Sequence, residues 1–205
     1  YNTQLIRGVA FLEEGNFVMG GGIWNNAVLL KIDHQGDTIK TVILGSGFPE
    51  AYNVYDISET PQGILFCGSF SDDFVAHNEY LAFYNNIDTD LFNIYENYFE
   101  HENEVKYSGC QKILNHNDNT ILIAGSMRTI GRGVDFWLKK ISTYNEIFWE
   151  RSIGGIESEN LRDVIETKDG GYLIIGESGS LDQYTSMYIV KTDSLGLGNY
   201  TSPVE

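Results

Sequence analysis

The residues of this 205-residue chain that could do chemistry are mostly acids. Asp and Glu number 29 against 13 Lys and Arg, a formal net charge of −16. Two kinds of chemistry come with such a set: cation binding by clustered oxygens, and glycoside hydrolysis by two carboxylates facing each other across a pocket. The spacings speak against a metal. Asp33, Asp88 and Asp193 recur at matching turns of a repeat, which spreads them apart, and turn formation explains them better. Asp72-Asp73 and Asp169-Gly170-Gly171 lack the oxygen-ligand spacing of an EF-hand loop, although a calcium site in one loop stays open. His101-Glu102-Asn103-Glu104 has no second His four residues on and falls between strands, so it reads as a solvated loop. His34, His77 and His116 stand singly in turns and loops and are expected at the surface. There is no G-x-S-x-G, Walker or dinucleotide fingerprint, and Gly20-Gly21-Gly22 belongs to the repeat. No catalytic residue, metal or cofactor is assigned. An enzyme is the minority reading.

These residues are held by a repeat. An apolar triplet followed by Gly occurs four times, as Phe17-Val18-Met19-Gly20, Leu65-Phe66-Cys67-Gly68, Leu122-Ile123-Ala124-Gly125 and Leu173-Ile174-Ile175-Gly176. The glycines are 48, 57 and 51 residues apart (68−20, 125−68, 176−125). A second phrase, an apolar run ending in a polar turn, follows each time and closes at Asp33, Asp88, Ser142 and Asp193, with spacings of 55, 54 and 51. Two independent landmarks share one period near 50, the length of a propeller blade.

Each unit divides into four strands. In the last copy, strand A is Leu161 to Thr167, B is Tyr172 to Gly176 and C is Met187 to Thr192; D is clearest one copy earlier, as Glu146 to Arg151. The A–B turns Glu14-Gly15-Asn16, Pro61-Gln62-Gly63, Asn117-Asp118-Asn119 and Lys168 to Gly171 use residues that tolerate positive φ. Strands B and C are apolar at consecutive positions, which predicts burial on both faces. Strand D, as in Phe92 to Phe99, is mixed and suits a sheet edge. The Gly closing strand B is expected to permit a close backbone approach.

The expectation is an all-β chain, a β-propeller of four-stranded antiparallel blades spanning 1–198 as repeats 1–47, 48–105, 106–155 and 156–198, with a linker-like tail at 199–205. Four blades are few for a ring. Either further blades come from sequence beyond this chain, or the ring closes with Leu197–Val204 as its last edge strand. The chain opens at Tyr1, partway into a repeat, so it reads as a processed or partial piece of a longer protein.

Composition narrows the partners. The acidic surface excludes nucleic acid, and no stretch approaches the ~20 apolar residues of a membrane helix. A cation, a basic protein patch or a neutral glycan remains compatible. Cys67 and Cys110 would bridge only if their strands are neighbours, and two buried free thiols are the preferred reading. In a propeller the B–C and D–A loops share one face, and here they vary between copies. That face is the expected interaction surface, with Trp24, Asp72, Asp73, Phe74, Arg128, Arg132, Asp182 and Tyr184 as candidate ligand-binding residues.

Gly154-Gly155, Thr167-Lys168-Asp169-Gly170-Gly171-Tyr172 and Lys191-Thr192-Asp193 follow Trp149 in order. This pattern resembles the repeat of secreted Bacteroidota surface proteins, with Trp, a Gly-Gly pair, T-x-DGGY and then KTDxxG. The first three copies are degenerate. The tail from Asn199 to Glu205 looks like the linker preceding a type IX secretion sorting domain. The resemblance implies architecture and export to the cell surface or medium more than an activity. The expected role is a protein-binding or scaffold module, its partner on the B–C/D–A loop face or a blade edge, as a component or cargo of a type IX secretion assembly. The alternative is a carbohydrate-active hydrolase or glycan-binding propeller that uses acidic loop residues.

Overall fold

The computed structural model describes residues 4–23, 26–44, 51–71, 80–92, 94–98, 105–129, 131, 133–180 and 185–198. Among them the chain is all-β, with fifteen strands in four antiparallel sheets taken in chain order. None of the described residues forms a helix long and apolar enough to cross a membrane. The first sheet holds β1 (Gln4–Phe11), β2 (Phe17–Ile23), β3 (Asn26–Ile32) and β4 (Thr38–Leu44). The second holds β5 (Ala51–Thr60), β6 (Gly63–Ser71), β7 (Tyr80–Ile87) and β8 (Ile94–Tyr98). The third holds β9 (Val105–Asn115), β10 (Thr120–Thr129), β11 (Val134–Ser142) and β12 (Ile147–Ile153). The fourth holds β13 (Glu159–Glu166), β14 (Tyr172–Ser178) and β15 (Ser186–Lys191). Every sheet is a simple meander, each strand pairing with the next.

The chain divides into two compact units, Tyr1–Glu100 and His101–Glu205. In the first, β5 packs across β1, β2 and β3; in the second, β13 packs across β9, β10 and β11. Each unit is therefore two sheets face to face, with a core between them. Ala10, Leu12, Val18 and Leu29 meet Val54, Ile57, Phe66 and Phe83 in the first unit. Leu122, Ala124, Phe136 and Leu138 meet Leu161, Val164, Tyr172 and Ile174 in the second.

The repeated glycine has a specific cause. Strand A of every sheet carries a β-bulge with one extra residue: Arg7, Tyr55, Gln111 and Arg162. Beside each bulge a strand-A carbonyl comes so close to a strand-B glycine that a Cβ there would meet it at 1.8 Å (Gly21, Gly68, Gly125) or 2.3 Å (Gly176). In the first copy the matching residue is thus Gly21, not Gly20, one place beyond the residue the sequence phrase selects. Gly20 instead faces Val54 and Ile57 across the core.

The C–D turns at Asp33, Asp88, Ser142 and Asp193 are hydrogen-bonded turns, as their sequence suggests. Asp33 Oδ1 accepts from the N–H groups of Gln35 and Asp37, and Asp193 Oδ1 from those of Leu195 and Leu197. Ser142 Oγ does the same for Tyr144 and Glu146, and Asp88 Oδ1 accepts from Phe92 N–H. The residue three after each is left-handed: Gly36, Leu91 (φ 57), Asn145 and Gly196. Leu91 pays strain where its counterparts do not, and its side chain is buried in the core of the first unit. Leu91→Gly should release about 1 kcal/mol of strain but forfeit about 2–5 kcal/mol of burial. The variant is expected to be the less stable protein in urea denaturation; a gain in stability would show that the turn, not the core, dictates this residue.

Two expectations need correction. Strands β6, β10 and β11 are buried on both faces, but β14 and β15 bury only one, alternating with exposed Ile175, Met187 and Ile189. Consecutive apolar residues there therefore do not imply double burial. Cys67 and Cys110 are fully buried as expected, yet neither is a free thiol; both are disulfide-bonded.

Candidate functional site

The expected interaction loops fall largely outside the described residues: Trp24, Asp72, Asp73, Phe74, Arg132, Asp182 and Tyr184 all do so. Arg128 is described. It belongs to strand β10 rather than to a loop, in register with Val134 and Tyr107, and its side chain is exposed. The exposed guanidinium stands at the end of the third sheet where the β10–β11 connection begins.

The best-defined polar site in that region is one the sequence does not flag. Asp135, at the start of β11, and Glu159, at the start of β13, are both buried in the second unit. They converge on Gly154: a Cβ there would lie 2.0 Å from Asp135 Oδ1 and 2.5 Å from Glu159 Oε2. Glu159 accepts from Ser178 Oγ at 2.7 Å and from Gly155 N–H at 2.8 Å, and Asp135 accepts from Ser152 Oγ at 2.9 Å. Ser180 extends the set, its Oγ accepting from Glu157 N–H at 2.9 Å. The Gly-Gly pair is thereby explained: Gly154 leaves room for two carboxylates and Gly155 supplies an N–H to one of them. The available signal is Gly-Gly followed by Glu four residues on from Gly155, with an Asp preceding the apolar run of β11.

Such burial turns these acids toward the fold. Gly154→Ala should cost about 1–3 kcal/mol, because the added methyl must displace buried oxygens. Adding Asp135→Ala to that variant should restore part of the loss, and urea titrations of the four proteins in a double-mutant cycle read the coupling directly. A purely additive cycle would show that the clash is not the cause.

His116 also departs from expectation. It is buried, not on the surface, with Nδ1 3.0 Å from Glu166 Oε2 and Nε2 3.4 Å from the Tyr172 hydroxyl. Tyr172 packs edge-on against Trp149. Burial first, then the charges of Glu166 and Asp118, push the Tyr172 hydroxyl up to about 12. His34, by contrast, is exposed in its turn. His77 and His101 to Glu104 lie outside the described residues.

On the opposite edge, the turns are spent on structure. The buried Lys31 ammonium lies 2.6 Å from Glu14 and donates to the Thr89 carbonyl at 2.9 Å. Its neighbour across the sheet, Lys40, donates to the Asp90 carbonyl and lies over the Phe92 ring. Together they fasten the first sheet to the C–D turn of the second. In the fourth sheet Asp169 pairs with Lys191 at 2.8 Å, and that bond, helped by Thr167, holds its carboxyl far below the usual range. Among the described residues no three His, Cys, Asp or Glu side chains group as a metal site.

No known family model matches the chain, and no curated protein matches it in sequence.

Proposed function

We infer that the four sheets are blades of a β-propeller whose B–C and D–A edge binds a protein partner, the chain serving as an exported or cell-surface scaffold module. The observation that supports this most is the contrast between the two edges. A–B and C–D turns are short and closed by their own hydrogen bonds, leaving little to offer a ligand. The B–C connections instead range over two, eight, four and seven residues between strands (24–25, 72–79, 130–133, 179–185). Variable connections on a regular frame are the usual seat of recognition. Membership of a type IX secretion assembly, as component or cargo, rests on the repeat resemblance alone.

The experiment is capture of partners by the purified chain from the envelope of its native host, followed by a titration with the partner recovered. Replacing Trp24, Arg128 and Tyr184 together by Ala should weaken that binding by at least about tenfold at unchanged melting temperature. Unchanged affinity rejects the proposed face. Glycan cleavage that is lost on changing one Asp or Glu would favour the carbohydrate-active reading in its place.

A further inference from the structure

We propose that Ile156 is the anchor by which this chain grips its partner, a folded protein offering an apolar socket bordered by Lys or Arg. The inference rests on the reading that the B–C and D–A edge binds a protein, and it names the group that makes the contact. Ile156 stands in the middle of the connection 154–158 between β12 and β13, and its side chain is 86% exposed. No aliphatic side chain among the described residues is more exposed.

An exposed isoleucine means little by itself. The backbone sets this one apart. The N–H groups on either side of it are both taken by side chains: Gly155 donates to the buried Glu159 carboxylate at 2.8 Å, and Glu157 to Ser180 Oγ at 2.9 Å. Ser158 receives two more bonds, its carbonyl from Gly179 N–H at 2.9 Å and its Oγ from Val134 N–H at 3.3 Å. The connection is thereby fastened to the start of β11 and to the residues just past β14. Close packing adds to this, since a Cβ on Gly133 would overlap the Glu157 carbonyl and one on Gly155 would overlap Ser180. A branched apolar side chain displayed on a fixed backbone meets little ordering cost when it enters a pocket.

Chemistry selects the occupant. Isoleucine offers no hydrogen bond, so a glycan, with its hydroxyls, gains little from it, whereas an apolar socket on a protein gains its burial. Among the described residues the acids around it, exposed Glu157 with buried Asp135 and Glu159, outweigh Arg128 at this edge, and the whole chain carries −16. That field favours a basic rim and repels a second copy of the chain. Another sheet of the repeat fits poorly too. Within each unit the sheets pack by their faces, and Ile156 lies on a connection beyond the strand ends.

The test is side-by-side capture from the envelope of the native host by wild type, Ile156→Ala and Ile156→Leu, with captured proteins identified by mass spectrometry and titrated after purification. A protein held by the wild type should be lost with Ile156→Ala, its affinity falling at least about tenfold, and kept within about threefold by Ile156→Leu. Glu157→Gln, and a rise in salt from about 0.05 to 0.5 M, should each weaken the same complex about twofold or more as charge attraction is removed or screened. Amide exchange at Gly155 and Glu157 should be slow in the free chain. Both substituted side chains are exposed, so melting should match the wild type. Capture that is unchanged in Ile156→Ala, or no captured protein at all, overturns the proposal. So do fast exchange at both amides, a complex that tightens with salt, or capture only of a longer form of this same protein. If Ile156→Ala has no effect while replacing Trp24, Arg128 and Tyr184 does, the anchor fails and the binding edge stands; the reverse result keeps the anchor and rejects those three residues.

Discussion

Gly125→Ala should lose about 3 kcal/mol of stability, while Gly179→Ala in the same unit should change it by no more than about 0.5 kcal/mol. The difference follows from what each methyl meets. At Gly125 the Cβ would lie 1.8 Å from the Gly109 carbonyl oxygen, a backbone atom fixed by the β9–β10 pairing. Relief would require undoing the bulge at Gln111, and with it the β9–β10 ladder. At Gly179 the nearest atom is the Glu157 Cβ at 3.5 Å, ordinary van der Waals contact. Gly21 and Gly68 sit under the same constraint as Gly125, so alanine there should be as costly, whereas Gly176, with its carbonyl at 2.3 Å, should suffer somewhat less. Urea denaturation of the set measures this. Equal losses at 125 and 179 would show that close approach is not why glycine recurs in strand B.

Stability should hold from neutrality to about pH 10 and then fall by up to about 5 kcal/mol by pH 12. Two buried tyrosines set this window. Burial pushes the Tyr84 hydroxyl up to about 12, and burial with nearby acids does the same for Tyr172. Above pH 10 the unfolded chain releases both protons while the folded chain retains them, so the unfolded state binds fewer protons and is favoured as pH rises. Each shift of about 2 units is worth about 2.7 kcal/mol. Below pH 10 both states hold the protons, and the term vanishes from the pH dependence. Urea midpoints between pH 9 and 12 read the fall, and tyrosinate absorbance should show two phenols ionising only as the protein unfolds. Tyr84→Phe and Tyr172→Phe should each remove about half of the slope. An unchanged slope in either variant would assign the alkaline loss elsewhere.

Much of the architecture was legible because it is local. Turn residues reveal themselves by their own conformational needs, so Asp33, Asp88, Ser142 and Asp193 mark hairpins without any knowledge of packing, and the left-handed residues three positions later agree. Strand extents also follow from alternation and bounding turns; the strand predicted from Tyr172 to Gly176 is observed from Tyr172 to Ser178. The candidate site was less legible. Asp135 and Glu159 are 24 residues apart (159−135) in different sheets, and only the packing of β13 across β11 brings them together at Gly154. His116 sits in a hairpin turn that by itself suggests exposure, and it is buried because Glu166 and Tyr172 of the next sheet close over it.

The sequence alone determined an all-β chain of consecutive antiparallel repeats with a glycine in each strand B, since period, alternation and turn chemistry are properties of neighbouring residues; among the described residues four strands are seen in three of the sheets and three in the last. Tertiary structure alone decided which glycine that is, Gly21 in place of Gly20, because a bulge in the partner strand aims the carbonyl. It also decided that the fourth sheet buries one face where its sequence suggests two, and that Cys67 and Cys110 are not free. These depend on what stands opposite a residue across a sheet interface, and a one-dimensional pattern records a side chain's character but not its neighbour.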